Sequence, residues 1–433
     1  MLALSCLMAA AMWVWVQKIA IPHQMAESAE LGTPRGNLSD LYPRWLGARE
    51  LLLHHRDPYA ADITREIQIG YYGRLLDPTR PHDPKDQQAF AYPVYVVFLL
   101  APIIGLEFLA VQKLLFWILA AMIAASVPLW MDALRWRASF ATKLTWIVLA
   151  LGCFPAIQGI KLQQLSVVVA ALLAACMSLL SRRKLVLAGI LLSITTIKPQ
   201  LAALPVVWLC IWVLGDWRSR RRALFSFGFT MAVLVIGGEL ILPGWIGEFR
   251  HALAAYYQYT GGGNSILDVA LTPLPGRIAT AIAIAAFVIV TWQVRREPET
   301  SAAFQWTMSL SLAITLAVIP MFAPYNQLLL LPGLMVIVRV LSQTWKRSRL
   351  ARFFVVVTAV AVLEPFASAA GLVVALLFLP AQTVQKGWGL PFYPSLAIPL
   401  TILALLWISK AALESGSGPL TNAGTLRQPA TSE

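Results

Sequence analysis

Runs of roughly 17–25 apolar residues, the length that carries a helix across the hydrocarbon core of a bilayer, recur from Leu2 to Ile408. In lipid every backbone amide and carbonyl must find its partner within the chain, which makes such runs helices. Composition agrees: of 433 residues, 58% are hydrophobic and 13% charged, against about 45–50% and about 25% in soluble domains. A disordered chain, a disulfide-stapled secreted domain and a cytosolic enzyme with a membrane tail are excluded. The expectation is an all-α polytopic membrane protein of about 11–13 transmembrane helices, a single membrane domain over residues 1–410. The segment 411–433 is expected to be a disordered cytoplasmic tail, because Ser, Thr, Gly and Pro dominate its composition.

A net charge of +13 would point to nucleic acid in a soluble protein. Here it is topological. Sixteen basic residues stand in short clusters between apolar runs: Arg135, Arg137 and Lys143; Arg182, Arg183 and Lys184; Arg218, Arg220, Arg221 and Arg222; Arg295 and Arg296; Lys346, Arg347, Arg349 and Arg352. Lys and Arg in short loops mark the cytoplasmic side. The longer segment 22–90 carries eight basic and ten acidic residues, so no nucleic-acid partner is implied. With the clusters inside, the outside collects Lys161, Gln163 and Gln164, then Lys198-Pro199-Gln200, residues 244–268, the turn from Ala323 to Gln327 and the loop 381–392. Amides, tyrosines and isolated lysines on one face point to a site on the outer side of a cell membrane.

One region leaves two topologies open. With the N-terminus inside and 22–90 outside, two full spans within 91–130 would put the Arg135 cluster on the wrong side. Either 91–104 re-enters without crossing, or the N-terminus is outside and 22–90 is cytoplasmic; Lys18 favours the second. Elsewhere, Lys198-Pro199 predicts two short helices within 185–215 that meet at the outer face, since proline breaks the helical ladder. Glu364-Pro365 predicts a kink within 353–380. Residues 2–21 lack a basic leading region and a cleavage site, and read as a retained helix. Cys6, Cys153, Cys176 and Cys210 lie in apolar runs and read as small buried hydrophobes, with no disulfide or metal cluster.

The stretch richest in chemistry runs from Asn37 to Tyr59. Leu41, Trp45, Ala48 and Leu52 fall at helical spacing. They predict an amphipathic helix in the membrane interface, with Arg44, Arg49 and Arg56 exposed or facing headgroups. Asp40, at its start, is either a helix cap or a working carboxylate. Asp57-Pro58 reads as a turn. Tyr256, Tyr257 and Tyr259 read as interfacial belt residues. The Gly-Gly-Gly-Asn264 that follows is a flexible loop and no phosphate motif, because no strand precedes it and no Gly-Lys-Ser/Thr follows. His54 and His55 are adjacent, point to different sides of a helix, and predict no metal site. A lysine between two short apolar helices, as Lys198 is, costs about 2.5–3.5 kcal/mol near mid-membrane and marks a functional path unless it snorkels.

Several of these pieces occur together in one known family. They are Ser39-Asp40 in the first outer loop, the Leu-Leu stretch ending at Asp57-Pro58-Tyr59, and the aromatic-Tyr-Pro approach to the next helix from Phe90 to Pro93. Lys198-Pro199-Gln200 and the Pro324-Tyr325-Asn326-Gln327 turn, followed by a leucine run and Pro332, complete the set. In this order they resemble the polytopic GT-C glycosyltransferases, and specifically glycosyltransferase family 87, the polyprenol-phosphate-mannose-dependent mannosyltransferases and their bacterial relatives. One turn departs from the pattern: relatives often show Gly-Gln-x-Asn, and this chain reads Gln163-Gln164-Leu165-Ser166.

The resemblance implies transfer of a sugar from a polyprenyl-phosphate carrier to a hydroxyl of a lipid- or glycan-linked acceptor at the outer face, with no nucleotide sugar and no cofactor. Asp40 would be the general base, and Lys198, Lys161 or an interfacial arginine would stabilise the leaving phosphate. Gln164, Gln200, Tyr59, Tyr92, Asn264, Tyr325 and Gln327 are the remaining substrate-binding candidates. Two rivals stand beside this reading. A secondary transporter or lipid flippase would use the broken helices, but the long segment 22–90 has no counterpart in a second half. A non-catalytic assembly subunit would tolerate loss of Asp40.

Overall fold

A computed structural model describes residues 1–260, 262–320 and 322–416, and these residues form helices and turns with no strand. Six helices are long and apolar enough to cross a membrane: Leu2–Leu31, Phe108–Ala133, Trp217–Ile241, Pro273–Gln293, Arg349–Ala375 and Ala381–Ile408. Two bent pairs join them, Phe140–Gly152 with Phe154–Lys161 at 57° and Pro324–Arg339 with Leu341–Arg347 at 67°. Leu165–Ser181, Leu185–Thr195, Pro199–Gly215 and Ala302–Val318 are shorter apolar helices. Among the described residues this gives twelve helical legs.

Burial orders the legs. Leu165–Ser181 and Ala302–Val318 are buried around almost their whole circumference and form the centre. The hydroxyls of Thr307, Ser309, Ser311 and Thr315 return to carbonyls three or four residues back, so these hydroxyls of Ala302–Val318 are satisfied within the helix. Trp217–Ile241 buries only Arg220, Ala223 and Gly238, and turns Phe225, Phe229, Val233, Ile236 and Leu240 outward, as a helix bathed in lipid does. Gly189 lets Leu185–Thr195 press onto it: a Cβ at 189 would collide with Ser226 Oγ and Ala223 O.

The two ends of the bundle differ. At one, the basic clusters lace the loops together. Arg135 Nη2 donates to Ser181 O at 3.0 Å, and Arg182 pairs with Asp132 at 2.7 Å. Arg339 Nη1 donates to Leu134 O at 2.6 Å, and Arg220 donates to the carbonyls of Arg295 and Glu297 at 2.6 and 2.8 Å. At the opposite end the segment between the first two long helices lies over the turns of the bundle. The Asp40 amide donates to Leu162 O at 3.0 Å, and Tyr95 OH donates to Thr196 O at 3.0 Å.

This arrangement settles the open topology. Val96–Leu100 is one short helix followed by the turn Ala101–Ile103, and together they are too short to cross. Trp45 Nε1 holds the turn by donating to Ile103 O at 3.2 Å, after which the chain enters Phe108–Ala133. Residues 91–104 therefore re-enter, and the first helix starts from the basic end. Lys18 is exposed in the π-helical turn Val16–Ala20 of that first helix, a single charge beside the sixteen of the clusters.

Other expectations need correction. The first helix continues past residue 22 to Leu31 and ends at Gly32, whose φ of 64° is the left-handed cap that glycine favours. The expected interfacial helix is Tyr42–His54, but Leu41, Trp45 and Ala48 are buried in the protein core, with the Phe108 ring 5.1 Å from Trp45. Two of its arginines are engaged within the protein: Arg56 binds Glu50, Asp62 and Glu66 at 2.8, 2.8 and 2.6 Å, and Arg49 donates to Ile104 O at 3.4 Å. Of the four free cysteines only Cys176 is fully buried, and Cys6 is exposed. The two helices expected to meet at Lys198-Pro199 are present, while Pro365 lies inside the single helix Arg349–Ala375. The expected tail begins in a helix, Lys410–Gly416, with Ala412 and Leu413 buried; residues 417–433 lie outside the described residues.

In a cysteine-free background with one cysteine restored at a time, Lys85→Cys and Gln382→Cys should react with an impermeant thiol reagent from one side of the membrane. Arg137→Cys and Arg221→Cys should react only from the other. Gly189→Val should lower the unfolding temperature in detergent, because the contact between its helix and Trp217–Ile241 must open.

Candidate active site

Asp40 stands where the loop from Gly32 turns into Tyr42–His54. The helix is capped at Leu41 without a side-chain bond, so Asp40 is not the cap that its position suggests. Its carboxylate looks the other way. Tyr71 OH, from Ala61–Tyr72, donates to Asp40 Oδ1 at 3.1 Å, and Gln164 Nε2 donates to Asp40 Oδ2. The amide oxygen of Gln164 then accepts from Lys198 Nζ at 2.8 Å, and the same ammonium donates to Ser166 Oγ at 2.7 Å. Asp40, Gln164 and Lys198 thus form one hydrogen-bonded line drawn from three separate parts of the chain.

Local conformation explains the placement. Gln163 adopts φ 49°, a left-handed value for which glycine is favoured, at the position where the family pattern has glycine. The turn is held by Gln163 Nε2, which donates to Ile160 O and Lys161 O at 3.0 and 2.7 Å. That leaves Gln164 free to reach across. Lys198 is 6% exposed and sits between the two short helices, where Pro199 opens the second. Its ammonium lies 5.7 Å from the Tyr92 ring centroid and 5.4 Å from that of Tyr325, so two aromatic faces share its charge.

These groups line a cavity of about 360 Å³. Of the candidates named from the sequence, Asp40, Gln164, Lys198, Gln200, Tyr92 and Tyr325 are in its wall. Tyr59 stands behind it, donating to Tyr92 O at 2.6 Å and lining an adjoining cavity of about 1020 Å³. Three candidates are elsewhere. Lys161 ends the helix Phe154–Lys161 outside the wall. Asn264 is exposed just before the capping box that opens Ile266–Leu271. Gln327 donates to Ser395 O at 2.7 Å and faces an apolar cavity of about 300 Å³ on the other side of its turn.

The wall also holds residues that sequence reading missed or placed elsewhere. Arg44 stacks over Tyr92 at 4.5 Å and donates to the Asp40 carbonyl at 2.9 Å. It stands four residues after Asp40, the spacing that puts both on one side of a helical turn. Asp86 accepts from the Gln88 amide at 2.8 Å and from Gln88 Nε2 at 3.0 Å. Burial pushes its carboxyl above the ordinary value, and the Asp40 charge adds to this against the Gln88 bond and Arg44. Tyr256, read as a belt residue, faces the cavity, its hydroxyl pushed up to about 12 by burial and then by Asp86. Tyr71 is held well above the usual phenol range by burial and the Asp40 charge, so it stays a donor to that carboxylate. Arg44 Nε and Asn326 Oδ1 are buried without a hydrogen-bond partner. Among the described residues no group of three or more His, Cys, Asp and Glu is placed to hold a metal.

The family model of glycosyltransferase family 87 matches residues 90–324, more than half of the chain. The chain belongs to glycosyltransferase family 87. It is therefore a membrane glycosyltransferase, acting on a sugar donor and an acceptor. The matched region holds Tyr92, Gln164, Lys198, Gln200 and Tyr256, while Asp40, Arg44 and Asp86 reach the same cavity from the segment before it. No curated protein and no solved structure matches the chain.

Replacing Gln164 by Leu should destabilise the protein by about 1–3 kcal/mol, because a buried ammonium loses an acceptor and Asp40 loses a donor; thermal unfolding in detergent measures it. For Asp86 the folded value is raised, so its contribution to stability is full below the ordinary carboxylate value and is lost as pH rises through the raised one. Asp86→Asn should therefore gain in unfolding temperature relative to the parent between pH 4 and pH 7.

Proposed function

We propose that this glycosyltransferase moves a hexose, mannose-like, from a polyprenyl-phosphate carrier to a hydroxyl of a lipid- or glycan-linked acceptor at the extracytoplasmic face of the cell membrane. The observation that carries the reading is the line Asp40–Gln164–Lys198 along the wall of one cavity, at the end of the bundle opposite the basic clusters. By the positive-inside rule that end is the outer one.

Asp40 takes the proton of the acceptor hydroxyl while its oxygen attacks the anomeric carbon. The phosphate leaves from the opposite face, and configuration inverts. Tyr71 and Gln164 each bind one carboxylate oxygen and set its orientation, and a carboxylate oxygen can still accept the acceptor proton. Lys198 and Arg44, both near the Tyr92 ring, supply the fixed positive charge for the leaving phosphate. Gln200, Tyr325 and Asn326 remain to bind sugar hydroxyls. The polyprenyl tail stays in lipid, with the apolar cavity beyond the 324–327 turn, walled by Leu328, Leu331, Leu334 and Phe366, as a seat for its first units. The acceptor reaches Asp40 through the larger adjoining cavity between residues 59–90 and Trp245–Tyr259.

Purified protein given a labelled polyprenyl-phospho-hexose and a lipid extract should form a glycosylated product. Asp40→Asn should lower turnover by about a hundredfold or more while donor still binds, and Lys198→Met should weaken both donor binding and turnover. Product formation undiminished in Asp40→Asn would sink the general-base assignment.

A further inference from the structure

The end of the bundle that carries the basic clusters contains a second polar concavity, remote from the site above and about 480 Å³ in volume. Arg135, Arg137, Lys143 and Arg182 line it, with Asp132 as its one carboxylate and Trp136 on its wall. Asp132 is already engaged: Arg182 Nε and Ser178 Oγ donate to Oδ2 at 2.7 and 2.5 Å. Arg135, at φ 51°, is turned back so that Nη2 donates to the last-turn carbonyl Ser181 O at 3.0 Å. No carboxylate lies within ion-pairing distance of Arg137 or Lys143 among the described residues. Positive charge therefore exceeds negative by three in one hollow.

The surroundings place this hollow at a lipid boundary. Trp136 and Trp146, both partly exposed, meet edge to face at 6.0 Å, and Phe140, four residues after Trp136 in the sequence, is 81% exposed. Exposed aromatics beside cations are the signature of the headgroup level, and basic hollows between transmembrane helices on this face fit anionic headgroups. We propose that this hollow binds the phosphodiester headgroup of an anionic phospholipid. Arg137 and Lys143 contact the phosphate oxygens, Arg135 and Arg182 frame them, and the acyl chains lie along Phe140 and Trp146. The inference does not depend on the sugar-transfer reading, since it uses no residue of that cavity.

The test uses the full chain in neutral detergent. Phosphatidylglycerol, phosphatidylcholine and inorganic phosphate are each titrated, with bound lipid read by native mass spectrometry and stabilisation read by the unfolding temperature. Phosphatidylglycerol should bind and stabilise, and neither phosphatidylcholine nor millimolar phosphate should replace it. Arg137→Gln combined with Lys143→Gln should weaken phosphatidylglycerol binding about tenfold or more. Arg221→Gln combined with Arg222→Gln, which removes the same charge from exposed positions on the same face outside the hollow, should leave it unchanged. Equal weakening by the two pairs would reduce the effect to diffuse surface charge and overturn the proposal. Full displacement by inorganic phosphate would make the hollow a free-anion site and overturn it as well. Should the first pair fail to fold, Arg137→Gln and Lys143→Gln made singly carry the comparison with Arg221→Gln and Arg222→Gln, and the titrations on the parent protein still separate headgroup from free anion.

Discussion

Among the described residues, Gln164 is the one side chain that hydrogen-bonds to both the carboxylate of Asp40 and the ammonium of Lys198. An ammonium buried to this depth is costly unless its donors are matched, and here Gln164 and Ser166 take two of its three, with the faces of Tyr92 and Tyr325 beside it. The amide cannot serve Lys198 with its oxygen without presenting its NH₂ elsewhere, and that group meets Asp40. Burial of one charge thus fixes the other, and with it the docking of the segment between the first two long helices onto the bundle. The Asp40 amide bond to Leu162 O reinforces the same contact. A site assembled from a loop and two helix breaks is held by mutual polar satisfaction instead of by one rigid element.

The bundle around it supplies dryness and alignment. The central helix Ala302–Val318 buries its hydroxyls in bonds to its own carbonyls, so polar residues sit at the centre with partners of their own. Where legs stop short, at the 162–164 turn and at 196–199, freed backbone and side-chain groups line the cavity. This is the place where irregular backbone is tolerated at membrane depth. The opposite end uses charge differently. Arg135, Arg220 and Arg339 close helix ends by donating to carbonyls, where the helix dipole favours cations.

Much of this was readable before any coordinates. Apolar run lengths determine a polytopic helical bundle, since lipid leaves the backbone no other partner than itself. The basic clusters determine which ends of the legs lie together, and the Lys198-Pro199 break was visible as a proline between two short runs. What misled were local cues with two physical readings. Asp40 admitted two readings, because a cap and a working carboxylate take the same residue type at a helix start. The stripe through Leu41 and Trp45 looked lipid-facing because a periodic apolar face does not state what covers it. Arg44 was read as exposed or facing headgroups and Asp86 went unread, because each is ordinary in sequence and becomes notable only through its neighbours.

The sequence by itself determined the membrane class, which ends of the legs carry the basic loops and six of the residues that line the cavity, because these follow from apolar length, loop charge and short motifs. Only the tertiary structure decided that residues 91–104 re-enter, that Gln164 spans the interval between carboxylate and ammonium, and that Lys161, Asn264 and Gln327 stand apart. Those outcomes depend on which side chains meet across 124 positions of sequence, as Asp40 and Gln164 do. Contacts at that separation are set by how helices pack against one another, a property of the whole bundle that no local pattern encodes.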